Sequence, residues 1–229
     1  MKKAVLLLFV LVGTFVQAQE FKQIPLINVV GEGKIKVIPD QVSITIAVET
    51  KGSKAIDVKK ENDAKMDAVL KFIKKSNIAK EDYQTQRVAL NPNYDYEKKK
   101  QNYIANQTVK ILLRDLSKYE EFMEGVVNSG SNAINSVEFK TSTLLQLQSE
   151  TRKLAMKEAK KKADDYVSIL NQKVGKVFTI TDNTQNFYPQ PILYRSMKAE
   201  MVESSDQKET LAIGEIEIIS TVNVSFILD

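Results

Sequence analysis

Ser205-Asp206-Gln207-Lys208 has the spacing of a serine acyl-transfer dyad, in which a lysine one helical turn on takes the proton of the serine hydroxyl. That chemistry needs a helix and a companion motif such as Lys-Thr-Gly, and this segment reads as loop with no such companion. The spacing is read as coincidence. Gly31-Glu32-Gly33 supplies two of the three glycines of a phosphate-cradling loop, yet position 36 is Lys36 and an alternating strand pattern follows where a helix should begin. Asp63 with Asp67, and Asp164 with Asp165, place carboxylates on helical stretches, but no second partner set makes them an acid–base pair or a metal cage. They read as surface salt-bridging groups. Lys98-Lys99-Lys100 and Lys160-Lys161-Lys162 could neutralise phosphates. Acids lie close to both runs and no aromatic platform accompanies them, so no nucleic-acid partner is expected, and weak contact with anionic lipid heads is the most they predict.

The missing residue types exclude more than the present ones suggest. The chain has no His and no Cys, which removes a Ser-His-Asp triad, a Cys-His pair, the usual zinc ligand sets, c-type haem attachment and thiol redox chemistry. No cofactor and no catalytic residue is expected. Disulfides are excluded as well, so stability must come from a core or from neighbouring chains.

The first residues give an address. Lys2 and Lys3 precede an apolar run from Ala4 to Val12, and small residues follow up to Ala18, the pattern of a cleavable secretory signal too short to span a bilayer. Cleavage after Ala18 would leave a mature chain starting at Gln19. The formal net charge of +4 then falls by two, close to neutral. No later stretch is apolar for long enough to predict a transmembrane helix.

The elements that would position any site follow from periodicity. Leu26 to Val30, Gly31-Glu32-Gly33 and the alternation through Ile35 and Val37 predict strand, kink, strand, with Gly31 and Gly33 as structural turn residues and Pro39 at a strand end. Val42, Ile44, Ile46 and Val48 alternate with polar or small residues and predict a half-buried strand. An amphipathic helix is predicted over about Lys54 to Lys75, and a long β-hairpin over Gln84 to Leu113 with a polar tip. Ser117 and Glu120 form a capping box ahead of a second helix that ends near Gly130, and Ile134 to Phe139 is a short strand. A third helix, from Leu144 to Asn171, turns Leu147, Thr151, Leu154, Ala155, Ala159, Ala163, Tyr166, Val167 and Leu170 one way. Val177 to Ile180 is a strand. The segment 184–211 has no usable period, and Ile216 to Leu228 alternate as a long closing strand. The fold class is α+β, with antiparallel-rich sheets packed against three helices, one of them long.

The order Val29-Val30-Gly31-Glu32-Gly33, Pro39-Asp40 and the Val42-to-Val48 strand resembles the opening of the SIMPL domain family. Thr85 before Pro92, Tyr94 and Tyr96, then Tyr103-Ile104-Ala105, the Arg152-to-Ala163 helix and Gly214-Glu215-Ile216 fall in the family's order. The likeness covers roughly residues 25 to 229, as one SIMPL-like domain behind a signal peptide at 1–18. It implies a periplasmic or outer-membrane-associated protein whose relatives include immunogenic surface antigens and at least one ring or channel-like homo-oligomer. Others have been linked to oxidative-stress tolerance. The family implies no catalytic residues, and the segment 184–211 departs from its pattern.

These readings lead to an exported, non-enzymatic homo-oligomer with an envelope-maintenance or stress role. Its expected contacts are Ile219 and Ile227 on the otherwise polar face of the closing strand, with Phe187, Tyr188, Tyr194, Met197 and Met201 beside it. The alternative is a periplasmic module that binds a small ligand or an unfolded client through the Tyr and Met residues of that segment.

Overall fold

The structure, a computed structural model, describes residues 24–184 and 213–229. The signal segment, Ser205 to Lys208, and the expected contacts Phe187, Tyr188, Tyr194, Met197 and Met201 lie outside the described residues. The elements run β1 (Leu26–Val37), β2 (Gln41–Gly52), α1 (Ala55–Lys75), β3 (Tyr83–Asp95), β4 (Lys100–Leu113), α2 (Tyr119–Asn128), β5 (Ala133–Lys140), α3 (Leu144–Ser168), β6 (Val174–Asp182) and β7 (Ile216–Leu228). They form two antiparallel sheets, β1-β7-β6 and β3-β4-β2-β5. The α+β class with three helices among the described residues is as the sequence predicts.

The four-stranded sheet is built from one continuous stretch, Gln41 to Lys140. Because alternate residues of a strand face opposite sides, Val42, Ile44, Ile46 and Val48 of β2 share a face with Val109, Ile111 and Leu113 of β4. Met66, Val69 and Ile73 of α1 and Phe122, Met123 and Val126 of α2 cover that face. Asn62 is buried among them and donates through Nδ2 to the Val48 carbonyl at 2.9 Å and to Thr50 Oγ1 at 3.2 Å.

The three-stranded sheet brings together the beginning and the end of the described chain. Its core sets Val29 of β1 and Val222, Val224 and Phe226 of β7 against Ala155, Ala159 and Ala163 of α3. Thr151, Ala155, Ala159, Ala163 and Val167 recur every fourth residue and are the buried stripe of α3. The stripe is narrow because its residues are small and the helix lies close to the strands. Leu154, Tyr166 and Leu170, expected on this face, flank it and are exposed. The two apolar clusters share no residue. Where the chain passes between the sheets, Asp40 pins both crossings: its N–H donates to the Lys140 carbonyl at 3.1 Å, and its carboxylate accepts from the Ser142 N–H at 2.7 Å.

Several local expectations change. β1 runs without interruption from Leu26 to Val37, every residue paired with β7, so there is no kink at Gly31 or Gly33. Pro39 does sit between strands, in the short link to β2. α3 ends at Ser168 rather than Asn171. The capping group ahead of α2 is Asp115, whose carboxylate accepts from the Ser117 N–H at 3.1 Å and closes a 3-10 turn over Leu116–Lys118; α2 itself starts from Lys118, so Ser117 is not its N-cap. The carboxylate is the stronger acceptor and takes the Ser117 hydroxyl as well, at 2.6 Å. Among the described residues no helix is long and apolar enough to cross a membrane.

Candidate functional site

Gly31 and Gly33 serve the packing of α3, not a turn. Neither has positive φ. Both point at the helix, and a Cβ built on Gly31 would come within 2.0 Å of the Ala155 carbonyl oxygen, one on Gly33 within 1.9 Å of the Thr151 carbonyl oxygen. Helix backbone therefore rests directly on strand backbone, a separation only glycine allows. Beside Gly33, Thr151 Oγ1 and Ser220 Oγ share a hydrogen bond of 2.6 Å inside the interface.

This closeness lets α3 reach around the outer edge of β1. The Glu158 carboxylate accepts from the Glu32 N–H, and Lys162 Nζ donates to the Val30 carbonyl at 3.0 Å. Glu158 and Lys162 are themselves paired at 3.2 Å. The hydrogen bond from Glu32, and then Lys162, hold the Glu158 carboxyl below its ordinary value. An outward N–H and C=O of an edge strand, which would otherwise offer a pairing template, are thus already occupied.

The opposite edge is different. β6 pairs only with Val222 to Leu228 of β7, and the pairing ends where the Asn183 N–H donates to the Thr221 carbonyl at 2.9 Å. Among the described residues no strand lies on that side of Ile216 to Ser220. β6 shows Val177, Phe178 and Ile180 to solvent, Phe178 at 50% exposure. On the helix-free face of the sheet, Ile219 is 41% exposed while Ile227 is half-buried opposite Leu26. The sequence marks Ile219 and Ile227 but misses Val177, Phe178 and Ile180. Their signal was the absence of polar alternation in Val177-Phe178-Thr179-Ile180, which on an edge strand leaves apolar groups uncovered.

Three of the carboxylates singled out in the sequence pair locally. Asp63 meets Lys59, Asp67 meets Lys71 at 2.6 Å, and Asp164 meets Lys160. Lys160 also lies 6.0 Å from the Phe226 ring. Among the described residues no three acidic side chains converge as a metal ion would require.

The arrangement defines an α+β protein of two antiparallel sheets with one edge guarded and one exposed. The chain belongs to the SIMPL family, described as proteins of unknown function (DUF541), whose model matches residues 27–226. It is 29% identical over 220 residues to the uncharacterized protein YggE of Escherichia coli K12, covering 95% of this chain and 89% of that one. The YggE of Edwardsiella ictaluri is 24% identical over 235 residues, 99% of this chain and 98% of the other. A 26 kDa periplasmic immunogenic protein of Brucella melitensis is 24% identical over 208 residues, with 87% and 83% covered.

Proposed function

We propose that this chain is an exported, non-enzymatic protein of the bacterial periplasm that self-associates through the exposed edge of its three-stranded sheet and serves envelope maintenance or the response to stress. The observation that carries the reading is the contrast between the two edges: α3 occupies the outer edge of β1, while β6 and the first half of β7 present backbone and apolar side chains together. An edge of this kind pairs with a second copy by continuing the sheet, with Phe178, Ile180 and Ile219 packing across the join. The charged start and Ala18, together with a relative called periplasmic, support the address. Contact with the outer membrane, where it occurs, is weak and electrostatic.

Light scattering coupled to size exclusion on the mature chain tests the reading. The expected mass is several times that of one chain, falling in Phe178→Lys and Ile180→Lys variants that still melt cooperatively. A monomer at micromolar concentration in physiological salt would remove the assembly. Recovery of the native protein with Met1 retained, or in the cytoplasmic fraction, would remove the address.

A further inference from the structure

Two β-bulges, one in each edge strand of the four-stranded sheet, flank a single groove. On β3, Thr85 is opposite Val109 and Arg87 is opposite Thr108, so Gln86 is an extra residue with no counterpart on β4. On β5, Ser136 is opposite Thr45 and Ile134 is opposite Ile46, so Asn135 is the extra residue there. Bulges re-aim side chains, and they gather at sheet edges and beside functional sites.

The β3 bulge decides which face the rest of that strand presents. Without it Arg87 would stand opposite Gln107, and Asn91 and Asn93 would turn to the side where Gln107 meets Asp63 of α1. With it, Arg87 joins Thr108, Ala89 joins Asn106 and Asn91 joins Ile104 on the helix-free face, where Asn106 is also opposite Glu49 of β2. Arg87, Asn91, Asn106 and Glu49 line a groove of about 450 Å³, and the bulged Asn135 lines it from the β5 side.

The composition of the groove runs against what strands favour. Asn is depleted in strands, yet Asn91, Asn93 and Asn106 lie within β3 and β4 and line the groove. Breaches of local preference are expected where a site needs the residue for its chemistry. Each carboxamide carries both donors and an acceptor, as each sugar hydroxyl does, so one Asn can meet two neighbouring hydroxyls at once. Asn106 Oδ1 takes the Thr108 hydroxyl at 3.2 Å, which leaves its N–H groups to donate. Between the carboxamides, the half-buried Ala89 and Ile104 form an apolar floor suited to the C–H face of a sugar ring.

Charge gives the groove two ends. Among the described residues neither Arg87 on β3 nor Glu49 on β2 is in an ion pair. The backbone of Glu49 is fixed by Asn132, whose Oδ1 accepts from the Glu49 N–H and whose Nδ2 donates to the Glu49 carbonyl, both at 2.8 Å. An extended peptide continues a sheet at its edge, whereas this groove lies on a face. Its volume is within the usual ~300–1,000 Å³ of ligand sites, room for a few sugar rings.

We propose that this groove binds a short acidic oligosaccharide, a sugar carboxylate on the Arg87 guanidinium, hydroxyl or acetamido groups across Asn91, Asn106 and Asn135, and Glu49 accepting from hydroxyls at the other end. The site is on the other sheet from the self-associating edge and stands or falls separately.

The test is a titration of the mature chain with trigalacturonate, a hyaluronan tetrasaccharide and neutral maltotriose, followed by amide chemical shifts and by calorimetry. Saturable shifts centred on Arg87, Asn91, Asn106 and Asn135 are expected with at least one of the acidic glycans, and maltotriose should bind severalfold more weakly. Arg87→Gln should weaken the acidic glycan about tenfold and bring it to the level of maltotriose, and Asn91→Ala should weaken it severalfold. Both side chains are exposed, so melting curves should match the parent; should either variant fail to melt cooperatively, the comparison of acidic with neutral glycan on the parent chain decides the matter. No saturable shift up to about 10 mM of either acidic glycan, maltotriose bound as tightly, or binding unchanged in both variants would overturn the site.

Discussion

Gly33 shows how a single missing side chain can set the position of a helix. Its would-be Cβ lies 1.9 Å from the Thr151 carbonyl oxygen and 2.7 Å from the Ala155 N–H nitrogen, both backbone atoms that no rotamer change can move aside. Gly33→Ala should therefore lift α3 from β1 and cost about 1–3 kcal/mol, read as a lowered denaturant midpoint with an unchanged slope. Unchanged stability would mean that α3 can shift freely over the strand. The sequence marks Gly31 and Gly33 as backbone-critical, but it offers two reasons for a glycine, a turn or a close approach. Only the facing Ala155 and Ala159 decide between them, and those lie more than a hundred positions away in the chain.

At the scale of an element, α3 both packs and protects. Glu158 and Lys162 occupy the outward groups of β1. Replacing both residues with Ala should leave the fold intact but expose the edge, and a new higher-mass species in light scattering is the expected sign. The Glu158 carboxyl is held low by the Glu32 N–H, Asp115 by Ser117, and Asp182 by Thr184. For each, the folded value lies below the unfolded one, so its contribution is full above about pH 4–5 and is lost as pH falls through the lowered folded value. Melting temperature should accordingly be flat near neutrality and decline below about pH 4, with a smaller decline in Glu158→Gln. All three groups are exposed, so the Glu158→Gln difference should be small. The helix itself was legible from its four-residue spacing, while its guarding role was not, because Lys160 to Lys162 look alike in sequence and only Lys162 meets β1.

Among the described residues of the molecule, the two apolar clusters have no residue in common, and Asp40 holds together the two crossings between the sheets. Val224→Ala, which removes methyl groups from the smaller cluster, should cost about 2 kcal/mol and lower amide protection in β7 more than in β2. An equal fall in both would show that the halves open as one unit. Alternation and helical spacing by themselves determined the α+β class, the order of the elements and the long hairpin, because period and turn chemistry are local properties of the chain. The tertiary structure decided the rest: that β1 and β7 join across the whole sequence, that α3 covers one edge and leaves another exposed, and that Arg87, Asn91, Asn106 and Asn135 share a groove. Each of those depends on which distant residues stand opposite one another, and strand register is set by packing between elements rather than by any one of them.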